Sequence, residues 1–182
     1  MTTRLFVAIE LPEDIQDELA AQGAGVPGAR WLDEDQLHLT LRFIGEVDGV
    51  KYRDVVAMLG RLRFPPFDLS LFGAGYFPPR GPTRSLWIGV ERSEELERLH
   101  RAIDTGLTRL GLPPDRKRYV PHVTVARCDG TSAGQVGKYV MARALYRSRR
   151  FEVNAVHLFS SRLNPKGSVY ELEESFDLAA GV

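Results

Sequence analysis

The chain has 182 residues, 43% hydrophobic and 26% charged, which suits one globular unit large enough to fold without disulfide or metal staples. Its 24 Lys and Arg balance 24 Asp and Glu, so the formal net charge is zero, which argues against a bulk electrostatic nucleic-acid binder. One cysteine, Cys128, a first segment (MTTRLFVAIELPEDIQDEL) that turns acidic too early for a signal peptide, and no long apolar run together predict a cytoplasmic protein with no membrane span. The charge is uneven. Residues 1–90 carry 9 Lys/Arg and 12 Asp/Glu, residues 91–182 carry 15 and 12, with basic clusters at Arg116-Lys117-Arg118 and at Arg147, Arg149 and Arg150. These clusters read as solvated surface or as a local rim for a polyanion.

In chain order, LFVAIE (Leu5 to Glu10) has strand character. Pro12 suits a first helical position, and Glu13, Asp14, Asp17 and Glu18 load the following helix with the charge its N-terminal dipole favours. Gly23, Gly25 and Gly28 fall in a loop and lack the strand-to-helix setting of a phosphate-cradling glycine motif. A strand at HLTLRF (His38 to Phe43), a helix over 52–63 and a strand at FDLSLF (Phe67 to Phe72) follow. Gly73, Gly75, Pro78, Pro79, Gly81 and Pro82 predict a loop. LWIGVE (Leu86 to Glu91) starts a second series. Ser93 is an N-cap for a helix whose Leu96, Leu99, Ile103, Leu107 and Leu110 recur at helical spacing until Gly111. A strand at HVTVAR (His122 to Arg127), a helix over 135–147, a strand at FEVNAV (Phe151 to Val156) and a hairpin turn at Asn164, Pro165, Lys166 and Gly167 complete it.

The second series repeats the first. HLTLRF and HVTVAR lie 84 residues apart, as do FDLSLF and FEVNAV, while LFVAIE resembles LWIGVE. We expect an α+β protein forming a single bilobal domain over 1–182, with internal repeats of roughly 1–84 and 85–182. Two mixed or antiparallel sheets flanked by helices should leave a central cleft on a pseudo-two-fold axis.

In a strand, residues two apart share a face. His38 and Thr40 therefore oppose Leu39, Leu41 and Phe43, and His122 and Thr124 oppose Val123 and Val125. With the apolar faces against helices, two imidazoles and two hydroxyls should meet in the cleft. Histidine both donates and accepts protons near neutral pH, and hydroxyls can hold phosphoryl oxygens, so the set suits phosphodiester chemistry without a metal. One His-x-Thr could be a satisfied core histidine; two copies at repeat positions have no easy packing explanation.

These segments, with RLFVAIELPEDI, HLTLRFIGEV, LWIGV and PHVTVARC, resemble the 2H phosphoesterases over nearly the whole chain, and within them the bacterial and archaeal RNA 2′,3′-cyclic phosphodiesterase branch, historically called 2′-5′ RNA ligase. The resemblance implies hydrolysis of a terminal 2′,3′-cyclic phosphate on RNA ends or nucleosides to a 2′-phosphate; we also expect a monomer with no cofactor. It implies His38 as donor to the 3′ oxygen, His122 as acceptor from water, and Thr40, Thr124 and Arg127 on the phosphate. Strict alternation places Arg127 on the wrong face for this, unless a bulge reverses it. Arg42 has cleft parity and could be a rim contact or plain surface. His100 and His157 read as structural. Trp31, Phe43, Tyr76, Phe77 and Tyr119 could stack on a base but suit core or loop packing better. A non-catalytic RNA-end or nucleotide-binding module, and an esterase for other small cyclic phosphates, are the alternatives. No His, Cys, Asp or Glu spacing matches a zinc site.

Overall fold

A computed structural model describes residues 1–23 and 25–179. Ten strands and four helices follow in the order β1 (Thr3–Glu10), α1 (Glu13–Ala21), β2 (Ala29–Trp31), β3 (His38–Val47), α2 (Gly49–Gly60), β4 (Phe67–Leu69), β5 (Leu71–Phe77), β6 (Ser85–Val90), α3 (Glu94–Arg109), β7 (His122–Cys128), α4 (Ala133–Ala142), β8 (Phe151–Val153), β9 (Ala155–Asn164) and β10 (Gly167–Asp177). A 3₁₀ turn, Glu34–Gln36, leads into β3. None of these helices is long and apolar enough to cross a membrane.

Three of these four helices start at a side-chain cap. The Ser93 hydroxyl accepts from the Leu96 N–H, and Asp48 and Ser132 accept from Lys51 and Gln135 in the same way. The last two caps start α2 and α4 earlier than the periodicity predicts, and these helices end at Gly60 and Ala142 rather than at 63 and 147. Pro12 is the N-cap of α1, one place before the predicted first helical position. The stripe Leu96, Leu99, Ile103 and Leu107 is fully buried, contributing roughly 1.5–3 kcal/mol per side chain.

The fold is α+β with two antiparallel sheets. The larger has eight strands, ordered β10-β9-β1-β3-β7-β6-β5, with β2 added beside β7; the smaller is β4-β8. Buried residues of all four helices join one core with Leu5, Val7, Leu39, Leu86, Val123 and Val156 from one face of the large sheet. Phe6, Ala8 and Phe159 form a separate cluster on the other face.

Two contacts show how the halves relate. β3 meets β7 through the single pair Leu39–Val123, and β4 meets β8 centred on Asp68–Glu152. In both, a residue faces the one 84 positions later, its own copy, as a two-fold relation requires. The halves are not self-contained, however. The first half's β5 pairs with β6, and the second half's β9 pairs with β1. The likeness of LFVAIE to LWIGVE is also displaced. Against the motif strands, Ala8 and Trp87 occupy equivalent places, facing Thr40 and Thr124, an offset of 79 where the sequence likeness gives 81.

The predicted loop over the glycines starts later than expected. Gly73 and Gly75 lie inside β5, and only 78–84 connects it to β6. Gly73 has φ +72° and sits in a register shift, while a Cβ on Gly75 would lie 2.3 Å from the Trp87 ring. These glycines serve a kink and a close approach rather than a turn. Gly75→Ala should therefore destabilise the protein by about 1–3 kcal/mol through overpacking, measured by urea denaturation against wild type.

Candidate active site

The crossing of β3 and β7 builds the site. Leu39 and Val123 are fully buried on the helix side, so alternation sends His38, Thr40, His122 and Thr124 to the opposite face. Continuing the Leu39–Val123 register sets His38 opposite Thr124 and Thr40 opposite His122. The two predicted pairs thus share one face of adjacent strands.

The alternation then breaks, at the same place in both copies. β1 pairs Ala8 with Thr40 and Val7 with Arg42, leaving Leu41 as an extra residue. β6 pairs Trp87 with Thr124 and Leu86 with Ala126, leaving Val125 extra. A bulge of one residue moves everything after it to the other face. Arg42 is thereby buried, 6% exposed; its Nε donates to Asp104 on α3 at 2.8 Å, and its other nitrogens donate to the carbonyls of Phe43 and Pro113. It is an internal strut that also lines the cavity beside the motifs, not a plain surface residue. Phe43 and Arg127 instead come to the histidine face. Phe43 is 69% exposed beside Phe6, and Arg127 is exposed and close enough to oppose charge on His122.

The two imidazoles are packed alike. His38 lies 4.5 Å from the Phe159 ring and 5.8 Å from Tyr170, centroid to centroid; His122 lies 4.9 Å from Phe77 and 5.7 Å from Trp87. Burial pushes both below the ordinary histidine range. Secondary influences differ: Glu10, Asp35 and the Gln36 carbonyl favour charged His38 and His157 opposes it, whereas at His122 the Val120 carbonyl favours the charged ring and Arg127 opposes it.

His122 Nδ1 is 2.7 Å from the Val120 carbonyl. A carbonyl only accepts, so Nδ1 carries the proton and Nε2 keeps its lone pair, the form a general base needs. The Gln36 carbonyl has the corresponding place at His38, but His38 Nδ1 has no hydrogen-bond partner among the described residues. A cavity of about 560 Å³ opens beside the motifs, lined by Thr40, Phe43, Phe77, Tyr119 and His122. Lys117 and Arg118 border it, whereas Arg147 and Arg149 of the other basic cluster are tied to Glu91 and Asp14.

Other candidates make structural contacts. His100 stacks on Tyr119 at 4.0 Å, and the Tyr119 hydroxyl donates to the Thr40 carbonyl, so this aromatic braces β3. Trp31 packs on Tyr139 and under Arg143. Among the described residues, no group of three or more His, Cys, Asp or Glu converges as a metal site would. Glu10, cross-strand partner of His38, had no motif to mark it.

Comparison with known proteins agrees with this geometry. The family model described as the 2′-5′ RNA ligase superfamily matches residues 6–165. The RNA 2′,3′-cyclic phosphodiesterase of Archaeoglobus fulgidus is 33% identical over 171 residues, covering 92% of this chain and 96% of its own. That of Thermus thermophilus is 34% identical, covering 96% and 90%. The crystal structure of TT0787 from Thermus thermophilus superposes with a TM-score of 0.82 at 30% identity, covering 97% and 98% of the two chains. Together with the paired His-x-Thr strands, these matches show that the chain belongs to the 2′-5′ RNA ligase superfamily.

Proposed function

We propose that this chain is an RNA 2′,3′-cyclic phosphodiesterase that hydrolyses a terminal cyclic phosphate to a 2′-phosphate with His38 and His122 as its acid–base pair. The observation that carries the reading is the crossing of β3 and β7, which gives both His-x-Thr pairs one face. Binding a phosphate needs cations and donors; a second imidazole with a free lone pair adds nothing to binding and suits proton transfer. The likeness to phosphodiesterases over more than nine-tenths of the chain supports the substrate class.

In the proposed step, His122 Nε2 takes a proton from water as its oxygen attacks phosphorus. The bond from phosphorus to the 3′ oxygen breaks, and protonated His38 gives that oxygen its proton. The product carries a 2′-phosphate and a free 3′-hydroxyl; His122 ends charged and His38 neutral, and exchange with solvent restores both. Thr40, Thr124 and Arg127 hold the non-bridging oxygens, as a preorganised donor set does for developing charge. Both motifs come from one chain, so a monomer suffices, and a lone cysteine fits a reducing cytoplasm.

Single-turnover hydrolysis of a nucleoside 2′,3′-cyclic phosphate tests the roles. His38→Ala and His122→Ala should each lose about 10²–10⁴-fold, and the double variant far less than the product of the two losses. Near-wild-type turnover in either single variant would sink the mechanism. Because one imidazole must be charged and the other neutral, kcat/KM should be bell-shaped in pH. Burial lowers both, so the maximum should lie on the acid side of neutrality, measured as initial rates on the free enzyme. Two imidazoles supply both proton transfers, so EDTA should leave the rate unchanged; loss of turnover restored by a divalent ion would contradict this.

A further inference from the structure

The cleft face is nearly symmetric, and the two histidines differ in the residues set beside them. Ala8 and Trp87 are equivalent in register, facing Thr40 and Thr124. One strand further out, His157 faces Ala8 and Gly75 faces Trp87. Beside His122 an indole therefore fills the space over a glycine. Beside His38 the small Ala8 leaves room for an imidazole. The strand-end partners differ as well: His38 pairs with Glu10, and His122 with Gly89.

The His157 ring is hydrogen-bonded at Nδ1, and its Nε2 faces Glu10 from beyond hydrogen-bond reach. Nδ1 lies 2.8 Å from the Ser175 hydroxyl on β10, and Nε2 lies 3.9 Å from Glu10 Oε2. With the hydroxyl donating to Nδ1, Nε2 carries the proton and faces the carboxylate. Glu10 is thus steered from the outer strand while its own strand places it opposite His38. Resting on the two-histidine reaction proposed above, we infer that Glu10, held by His157, is a positioning residue that makes His38 rather than His122 the proton donor.

The surroundings of His38 agree with this. Facing it are Glu10 from β1, Asp35 and the Gln36 carbonyl from the 3₁₀ turn, His157 from β9 and the Tyr170 ring from β10. Glu10 is the largest influence that favours the charged ring against burial. Facing His157 are Glu10, Ser175, Asp177 and the Phe159 ring. Burial holds His157 below the ordinary histidine range, so it orients Glu10 without cancelling its charge. Among the described residues, no carboxylate acts on His122; the Val120 carbonyl favours its charged form, while burial and Arg127 favour the neutral ring a base requires.

The test is the NMR titration of the histidine rings in the whole protein, together with kcat/KM against pH on a nucleoside 2′,3′-cyclic phosphate. Glu10 is 45% exposed and Glu10→Gln is isosteric, so the variant should fold. It should move the His38 titration and the alkaline limb of the rate profile to lower pH, leaving the His122 titration and the acid limb in place. One pH unit above the wild-type optimum, kcat/KM should then fall on the order of three- to tenfold. Glu10→Asp should recover most of that loss. In a His157→Asn background, Glu10→Gln should move His38 much less, since the carboxylate is no longer held. An unmoved His38 titration in Glu10→Gln overturns the inference, and an equal shift with and without His157 overturns the anchoring role. The titrations need no turnover, so a wild-type protein inactive on cyclic phosphates would count against the proposed reaction and not against this electrostatic coupling.

Discussion

The antiparallel meeting of Leu39 and Val123 is the contact on which the cleft depends. Both are fully buried beneath the helices, and each is the other's copy in the repeat. Their burial forces the flanking histidines and threonines out onto the opposite face. Their antiparallel register sets each histidine across from the other motif's threonine. A slip of one residue in this pairing would put one motif's histidine and threonine on the core face while the other motif's stayed in the cleft. The apolar core and the polar cleft are therefore two sides of one register, and neither can change without the other.

Much of this was legible in the sequence because it rests on short-range periodicity. The alternation in HLTLRF and HVTVAR, the leucine stripe of α3 and its Ser93 cap are local signals, and each element formed where its signal lay. What stayed hidden was non-local or silent in residue type. The bulges at Leu41 and Val125 involve apolar residues no different from their neighbours, so strict alternation exchanged the faces of Arg42 and Phe43 and left Arg127 uncertain. The offset of LFVAIE against LWIGVE was wrong by two, and a strand displaced by two keeps its facing, so no pattern exposed the error. The exchange of β5 and β9 between halves leaves no mark on either segment. Glycine in β5 read as a loop because its reason, the Trp87 ring, lies on another strand.

A protein of zero net charge must place its cations with care if it is to hold a polyanion's end. Arg42 is committed to Asp104, Arg147 to Glu91 and Arg149 to Asp14. Among the described residues, Arg127, Lys117 and Arg118 form no salt bridge, and Lys117 and Arg118 border the cavity beside the motifs. A net charge of zero suits recognition of one terminal phosphate better than long contact with a backbone, where affinity grows with the number of phosphates neutralised. Aromatic rings around both imidazoles strengthen what few charges remain, since a dry wall screens them less than water does.

A two-fold scaffold supplies two equal groups, whereas hydrolysis needs unequal ones. The shared elements of the cleft, two His-x-Thr pairs and an aromatic ring against each imidazole, cannot by themselves say which histidine gives a proton and which takes one. Asymmetry must come from residues outside the repeat's common pattern. Glu10 favours charge on His38, and Arg127 disfavours it on His122. After one turnover the proposed step leaves each ring in the state its neighbour opposes: His122 charged near Arg127, and His38 neutral near Glu10. The same two residues that select the direction of proton flow therefore also favour its reset by solvent exchange.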